Sequence, residues 1–223
     1  MSFDIPFQAL QKARGRTLSA THPLYAHANA QLQARLQDIK QSFHRPLLWE
    51  SFDQNPRPQE GWDLILSCLS LQHAQDLVPV FKAIFSQLST KGLFLGVTLG
   101  GESLYELREV LGEAELSLTS RAHPRLAPCQ NGESLARAML ESGFSLPVVD
   151  RARLFLTYDD MFALMNDLRN SGCANALNGR AHAIPPRKLF EKAATLYKDR
   201  FSLPAGGIKA TLDLFFLHGW REE

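Results

Sequence analysis

The chain has 223 residues, 45% hydrophobic and 21% charged, with a formal net charge of +1. That is an ordinary globular composition with length for one sizeable core plus extensions. It argues against a nucleic-acid surface, which needs clustered Lys and Arg, and no uncharged apolar stretch reaches the ~18 residues of a spanning helix.

The start, Ser2-Phe3-Asp4, lacks the apolar core of a secretion signal, so a cytoplasmic protein is expected. Lys12, Arg14 and Arg16, with few acids nearby, also admit a transit peptide as the lesser reading. Cys68, Cys129 and Cys173 form no Cys-x-x-Cys pair and read as reduced thiols, with Cys68 an inert buried one. His22, His27 and His182 have no metal-ligand spacing, so no metal is expected.

In chain order, Phe3 to Arg16 reads as a basic amphipathic helix. Pro23 interrupts before a second helix over Ala26 to Ser42, with Leu32, Leu36 and Ile39 on one face. A short strand ends at Leu47-Leu48-Trp49, and Asn55-Pro56-Arg57-Pro58 is a loop. Asp63 to Leu69 is a near-continuous apolar run, the mark of a strand covered on both faces. A helix over Asp76 to Leu88 follows. The Lys91-Gly92 turn then introduces a strand over Leu93 to Leu99. Ser103 to Leu118 and Leu135 to Ser142 are helices, the second stopped by Gly143 as a left-handed cap. Val148 to Tyr158 is a long strand and Asp159 to Asn170 a helix. Pro185-Pro186 opens a helix to about Phe201, and Ile208 to Leu217 closes the series as a strand. Strands alternating with helices demand an α/β fold with a largely parallel sheet. The last two long strands read as an antiparallel edge pair.

Several motifs then resemble one family. Trp62-Asp63-Leu64-Ile65-Leu66-Ser67-Cys68-Leu69 is similar to the fourth strand of class I S-adenosylmethionine-dependent methyltransferases. Gln72-His73 resembles the turn after that strand, and Leu88 to Gly96 the entry to the fifth. Gly100-Gly101-Glu102-Ser103-Leu104-Tyr105-Glu106-Leu107-Arg108 is a sharper match. It resembles the branch of the mitochondrial complex I assembly-factor methyltransferase-like proteins and their alphaproteobacterial relatives, with the biotin-synthesis methyltransferases more distant. His123-Pro124-Arg125, Asp167-Leu168-Arg169, Asn175 and His218-Gly219-Trp220 continue the match. The resemblance implies a Rossmann-like methyltransferase sandwich, truncated here. Residues 1–43 would be a helical arm and residues 44–223 the truncated domain.

The departures bear on chemistry. The family follows its first strand with a glycine loop whose amides approach the cofactor. The corresponding Arg45-Pro46-Leu47-Leu48-Trp49-Glu50-Ser51-Phe52 has no glycine. The family's second strand carries an acid for the cofactor ribose. Glu50 to Gly61 is too short for the strand-helix-strand crossovers that would supply it. Losing the second and third strands leaves the order 1-4-5-7-6, with the first strand at an edge open to pairing. The expectation is a non-catalytic binding or assembly factor, acting through a protein partner or self-association at that edge, without a cofactor. The alternative is an enzyme that binds S-adenosylmethionine in a remodelled site.

The candidate ligand or partner surface is Gln72, His73, Gly100, Gly101, Glu102, Arg108, Arg125, Arg169 and Asn175. His73 is placed for a base, although a lone loop histidine is more often only polar. Gly100-Gly101 would open a strand end to a ligand, or make a plain turn. Arg125 and Arg169 would hold an anionic group or form surface ion pairs. Gly100, Gly101, Glu102, Arg125 and Arg169 are expected together at the strands' C-terminal ends. Glu106 reads as the partner of Ser103 in a capping box rather than as half of an acid/base pair.

Overall fold

The computed structural model describes residues 4, 22–49, 61–72, 74, 76–171, 173, 175–180 and 185–222. The sequence-expected helix over residues 3–16 and the loop at 55–58 lie outside the described residues, apart from Asp4. The elements are α1 (Pro23–Gln37), β1 (Pro46–Leu48), β2 (Trp62–Cys68), α2 (Leu77–Gln87), β3 (Leu88–Leu99), α3 (Tyr105–Thr119), α4 (Gly132–Glu141), β4 (Ser145–Tyr158), α5 (Met161–Asn170), α6 (Arg187–Phe201) and β5 (Ile208–Arg221).

The five strands form one sheet in the order β1-β2-β3-β5-β4. β1 runs parallel to β2, β2 parallel to β3, and β5 antiparallel to β3. This is the truncated order expected from the sequence. The described residues fall into two compact units. One comprises those within 23–101, 129–153 and 213–222, and the other residues 4 and 22 with those within 102–128 and 154–212.

The first unit is a three-layer sandwich. On one sheet face, Phe81 and Ile84 of α2 and Leu135 and Met139 of α4 pack against Ile65, Phe94 and Leu217. Phe81 meets the rings of Phe94 and Phe144 edge-on, at 5.9 and 6.2 Å. On the other face, Ala28 and Leu32 of α1 cover Leu64, Leu93, Leu95, Val97 and Phe216. The central strands β2, β3 and β5 are buried on both faces, which is why they read as continuous apolar runs, whereas β4 is partly exposed along its length. Asp76 caps α2 by accepting the Val78 amide at 3.0 Å, and Asn131 caps α4 by accepting that of Ser134 at 2.8 Å. Gly143, with φ of +101°, ends α4 in the left-handed conformation that a side chain would strain.

Two local expectations are corrected here. Pro23 opens α1 rather than interrupting before it, because a first helical position needs no donor. Lys91-Gly92 is not the start of a strand. β3 already begins at Leu88, and its register against β2 slips between the pairs Trp62–Leu88 and Leu64–Leu93, so the chain bulges there.

The second unit is built on α3 and α6. Leu107, Val110, Leu111 and Ala114 of α3 and Leu189, Ala193 and Tyr197 of α6 are buried. Arg200 ties the two helices through Glu109 at 2.8 Å and Glu113 at 2.7 Å. Asp160 caps α5 through the Ala163 amide at 2.8 Å. Tyr158 Oη donates to Asp167 at 2.6 Å, and His22 Nε2 lies 2.9 Å from the same carboxylate oxygen. Burial and then the Asp167 bond raise the Tyr158 hydroxyl well above its ordinary range.

Candidate functional site

Open α/β sheets hold ligands beyond the C-terminal ends of their strands. At the end of β1 stands Trp49, only 6% exposed. It belongs to the core cluster with Leu47, Leu71, Ala74 and Leu77. Its amide donates to Leu66 O at 2.6 Å, and its carbonyl accepts from Ser70 Oγ at 3.2 Å. Ser70 in turn lies 2.6 Å from Ser67 Oγ, so the ends of β1 and β2 are laced together. Gln72 donates its amide to Leu69 O at 2.6 Å, while its Oε1 is buried without a partner among the described residues. His73 lies outside the described residues. Burial pushes the Cys68 thiol up to about 12, which leaves it un-ionised and inert as expected.

Gly100 and Gly101 lie in the sheet unit and Glu102, Arg108, Arg125, Arg169 and Asn175 in the helical unit. A Cβ at Gly100 would sit 2.6 Å from the Phe215 ring, so its glycine answers the protein's own packing rather than a ligand's approach. Its amide donates to Asp213 O at 2.8 Å. Gly101 has only carbonyls as near neighbours, the closest 3.6 Å from a built Cβ. Glu102 is exposed in the turn that leads to α3.

Three of the nine expected residues converge in the helical unit. Arg108 and Arg125 line one cavity of about 230 Å³, together with Gly112, His123, Pro124, Leu126 and Pro128. Asn175 holds this wall in place by donating to Pro124 O at 2.7 Å. Arg169, exposed in the last turn of α5, is not among the residues lining it.

Behind the cavity, Glu115 is buried and accepts four hydrogen bonds. Arg125 supplies two, at 2.6 and 3.1 Å, and the amide and ring of His123 lie at 3.0 Å. Burial alone would raise this carboxyl, but the Arg125 and His123 bonds outweigh it and hold the group at about 2. Arg125 is therefore half of a partly buried, forked ion pair, which the sequence did not distinguish from a surface one.

Glu106 departs most from expectation. Ser103 does not cap α3; the cap position is Leu104, left-handed with φ of +55° and without a side-chain cap bond. Glu106 points inward instead, fully buried. It accepts the Thr211 amide at 3.2 Å and the Thr211 hydroxyl, and Lys209 Nζ lies 3.8 Å away. Leu104 N–H donates to Thr211 O at 2.7 Å, which ties the start of α3 to β5. A second buried acid, Asp213, is forked between Arg151 at 2.6 Å and Arg153 at 3.0 Å in the sheet unit. Neither arrangement has a local sequence signature.

No family model matches the chain. Among curated proteins, it is 32% identical over 166 residues to the rat arginine-hydroxylase NDUFAF5, mitochondrial, covering 74% of this chain and 48% of that protein. It is 30% identical over 175 residues to the malonyl-[acyl-carrier protein] O-methyltransferase of Laribacter hongkongensis, covering 78% of this chain and 56% of that one. A solved Bacillus halodurans candidate methyltransferase superposes with a TM-score of 0.52 at 10% identity, over 86% of this chain and 99% of its own. The likeness in structure is one of fold. Together with the sequence relatives it gives the class: the chain belongs to the class I methyltransferase-like family. It spans about half the length of the curated relatives it matches. The expectation of a cytoplasmic protein is overturned by these comparisons, because the rat protein and its like-named zebrafish and human counterparts are mitochondrial.

Proposed function

We propose that this chain is a methyltransferase-like assembly or binding factor that works through a protein partner and has given up the family's cofactor pocket. The observation that carries this reading is the end of β1. There a buried Trp49, packed with Leu71 and Ala74, stands in a segment without the family's glycines. β1 then pairs directly with β2, and too few residues join them for the strand that would bear the ribose acid. The related rat protein is named for an enzymatic activity and for mitochondria, which bears on setting and weighs toward the enzymatic reading below.

A second reading, an enzyme that binds S-adenosylmethionine in a remodelled site, is favoured by the buried, unpartnered Oε1 of Gln72 just beyond β2. Unpaired buried acceptors are costly, and a bound donor would relieve this one. Thermal denaturation with millimolar S-adenosylmethionine separates the two. The first reading expects no change in Tm. Saturation at 100 times Kd would add about 2.7 kcal/mol, a shift of roughly 5 to 10 °C for a chain of this size, and would establish the second.

A further inference from the structure

We propose that α1 is a proton-sensitive cover of the sheet and that His218, on the face it covers, is the sensor. This goes beyond both readings above and depends on neither.

Strand alternation places the ring. Leu214 and Phe216 of β5 belong to the cluster that α1 covers, and Trp220 packs against that cluster. His218 stands between Phe216 and Trp220 in the same alternation, so its side chain is on that face. Its register partner, Leu95, is part of the same cluster. The Trp220 ring meets the imidazole edge-on, 5.6 Å between centroids. The helix above is held modestly. Of its 15 residues, Ala28 and Leu32 are buried, and Leu24, Tyr25 and Leu36 pack at the margin. The partly exposed pair of Arg35 with Asp150, at 3.6 Å, adds little.

His218 Nε2 is buried and has no hydrogen-bond partner among the described residues. A neutral imidazole can leave that nitrogen bare. Protonation turns it into a buried N–H without an acceptor and adds a charge beside Leu95, Phe216 and Trp220. Among the described residues, no group on that face compensates. Arg35, its guanidinium 3.6 Å from the Phe216 ring centre, brings a like charge from α1. Asp150 of β4 is bonded to Arg35. β2 contributes Leu64 and the un-ionised Cys68, and β3 contributes Leu93, Leu95 and Val97. His27 of α1 is exposed, as are Asp38, Lys40 and His44 of the segment after it. Burial accordingly holds His218 below its ordinary 6.5. Its contribution to stability is therefore present above about 6.5 and lost as pH falls through the lowered folded value. The chain takes up the proton most easily by letting water reach the ring, and the weakest layer over the ring is α1.

Backbone amide exchange in the full chain tests this between pH 7.5 and 5.5, a range in which histidines titrate and ordinary carboxylates do not. The protection factor of Leu32 in α1 should fall severalfold across it, while that of Phe94 in β3 holds. His218→Leu and His218→Gln, one apolar and one polar but neither titrating, should both abolish the fall. The glutamine variant decides the question if the leucine one does not fold. In the wild type, the ring resonances of His218 should titrate at lower pH than those of the exposed His27. Equal loss of protection at Leu32 and Phe94 would mark general acid unfolding and overturn the proposal. So would a fall at Leu32 that survives in the folded variants, no fall at all, or a His218 midpoint at or above that of His27.

Discussion

Glu106 is bonded twice by Thr211 and faced by Lys209, and all of its side chain is buried. Removing it would strand the Thr211 hydroxyl and amide and leave Lys209 without its acid. Glu106→Ala should therefore cost about 3 kcal/mol, since each stranded buried group costs roughly 1 to 3 kcal/mol. Glu106→Gln, which still accepts from Thr211, should cost markedly less. Urea unfolding of both variants checks this, and equal losses would show that shape rather than bonding matters. Glu115 makes a pH-dependent contribution. Its folded value of about 2 lies below the ordinary 4.5, so the stabilisation is fully present above about 4.5 and is lost as pH falls towards 2. Thermal unfolding from pH 2 to 6 should show wild type losing stability over that window, with Glu115→Gln flatter across it. At neutral pH the substitution should cost about 1 to 3 kcal/mol, the range for hydrogen bonds to a charged group.

At the scale of elements, α1 covers one face of the sheet through Ala28 and Leu32. Leu32 is 1% exposed against Leu64 and Leu93. Leu32→Ala should cost about 2 to 5 kcal/mol, readable as a fall in the midpoint of denaturant unfolding. A loss below 1 kcal/mol would mean that α1 is only loosely laid on the sheet. Gly100→Ala, whose Cβ would run into Phe215, should cost roughly 1 to 3 kcal/mol without involving any ligand. The elements themselves were legible because strands covered on both faces leave unbroken apolar runs and helices leave 3.6-residue stripes. The misreadings share one cause. Ser103-x-x-Glu106 satisfies a local capping pattern, but Thr211 lies more than a hundred residues away and offers Glu106 a better-buried partner. Pro23 looks like a breaker in a linear text and is a helix opener in the fold. The 230 Å³ cavity was legible only in part. Arg108, Arg125 and Asn175 stood in family-like motifs, but Gly112 and Glu115 gave no signal, since a helical glycine or glutamate reads as surface.

For the whole molecule, the sheet order β1-β2-β3-β5-β4 keeps one half of a methyltransferase-like fold intact and ends the other at β1. What the chain does there depends on whether Trp49 has replaced a cofactor pocket or merely plugs one. The two cases part on a single substitution. As a core residue 6% exposed, Trp49 should cost about 3 to 5 kcal/mol when changed to Ala. If the pocket is gone, the hole left behind has no glycine loop to cradle a ribose or a carboxylate and, among the described residues, no strand beyond β1 to bring an acid to it. S-adenosylmethionine should then leave the Tm of both wild type and Trp49→Ala unchanged. If Trp49 is a plug over a working pocket, the variant should melt lower without cofactor yet recover part of that loss as millimolar S-adenosylmethionine is added. Such recovery would shift the chain to the enzymatic reading. Flat melting curves in both proteins would leave the partner-directed one standing.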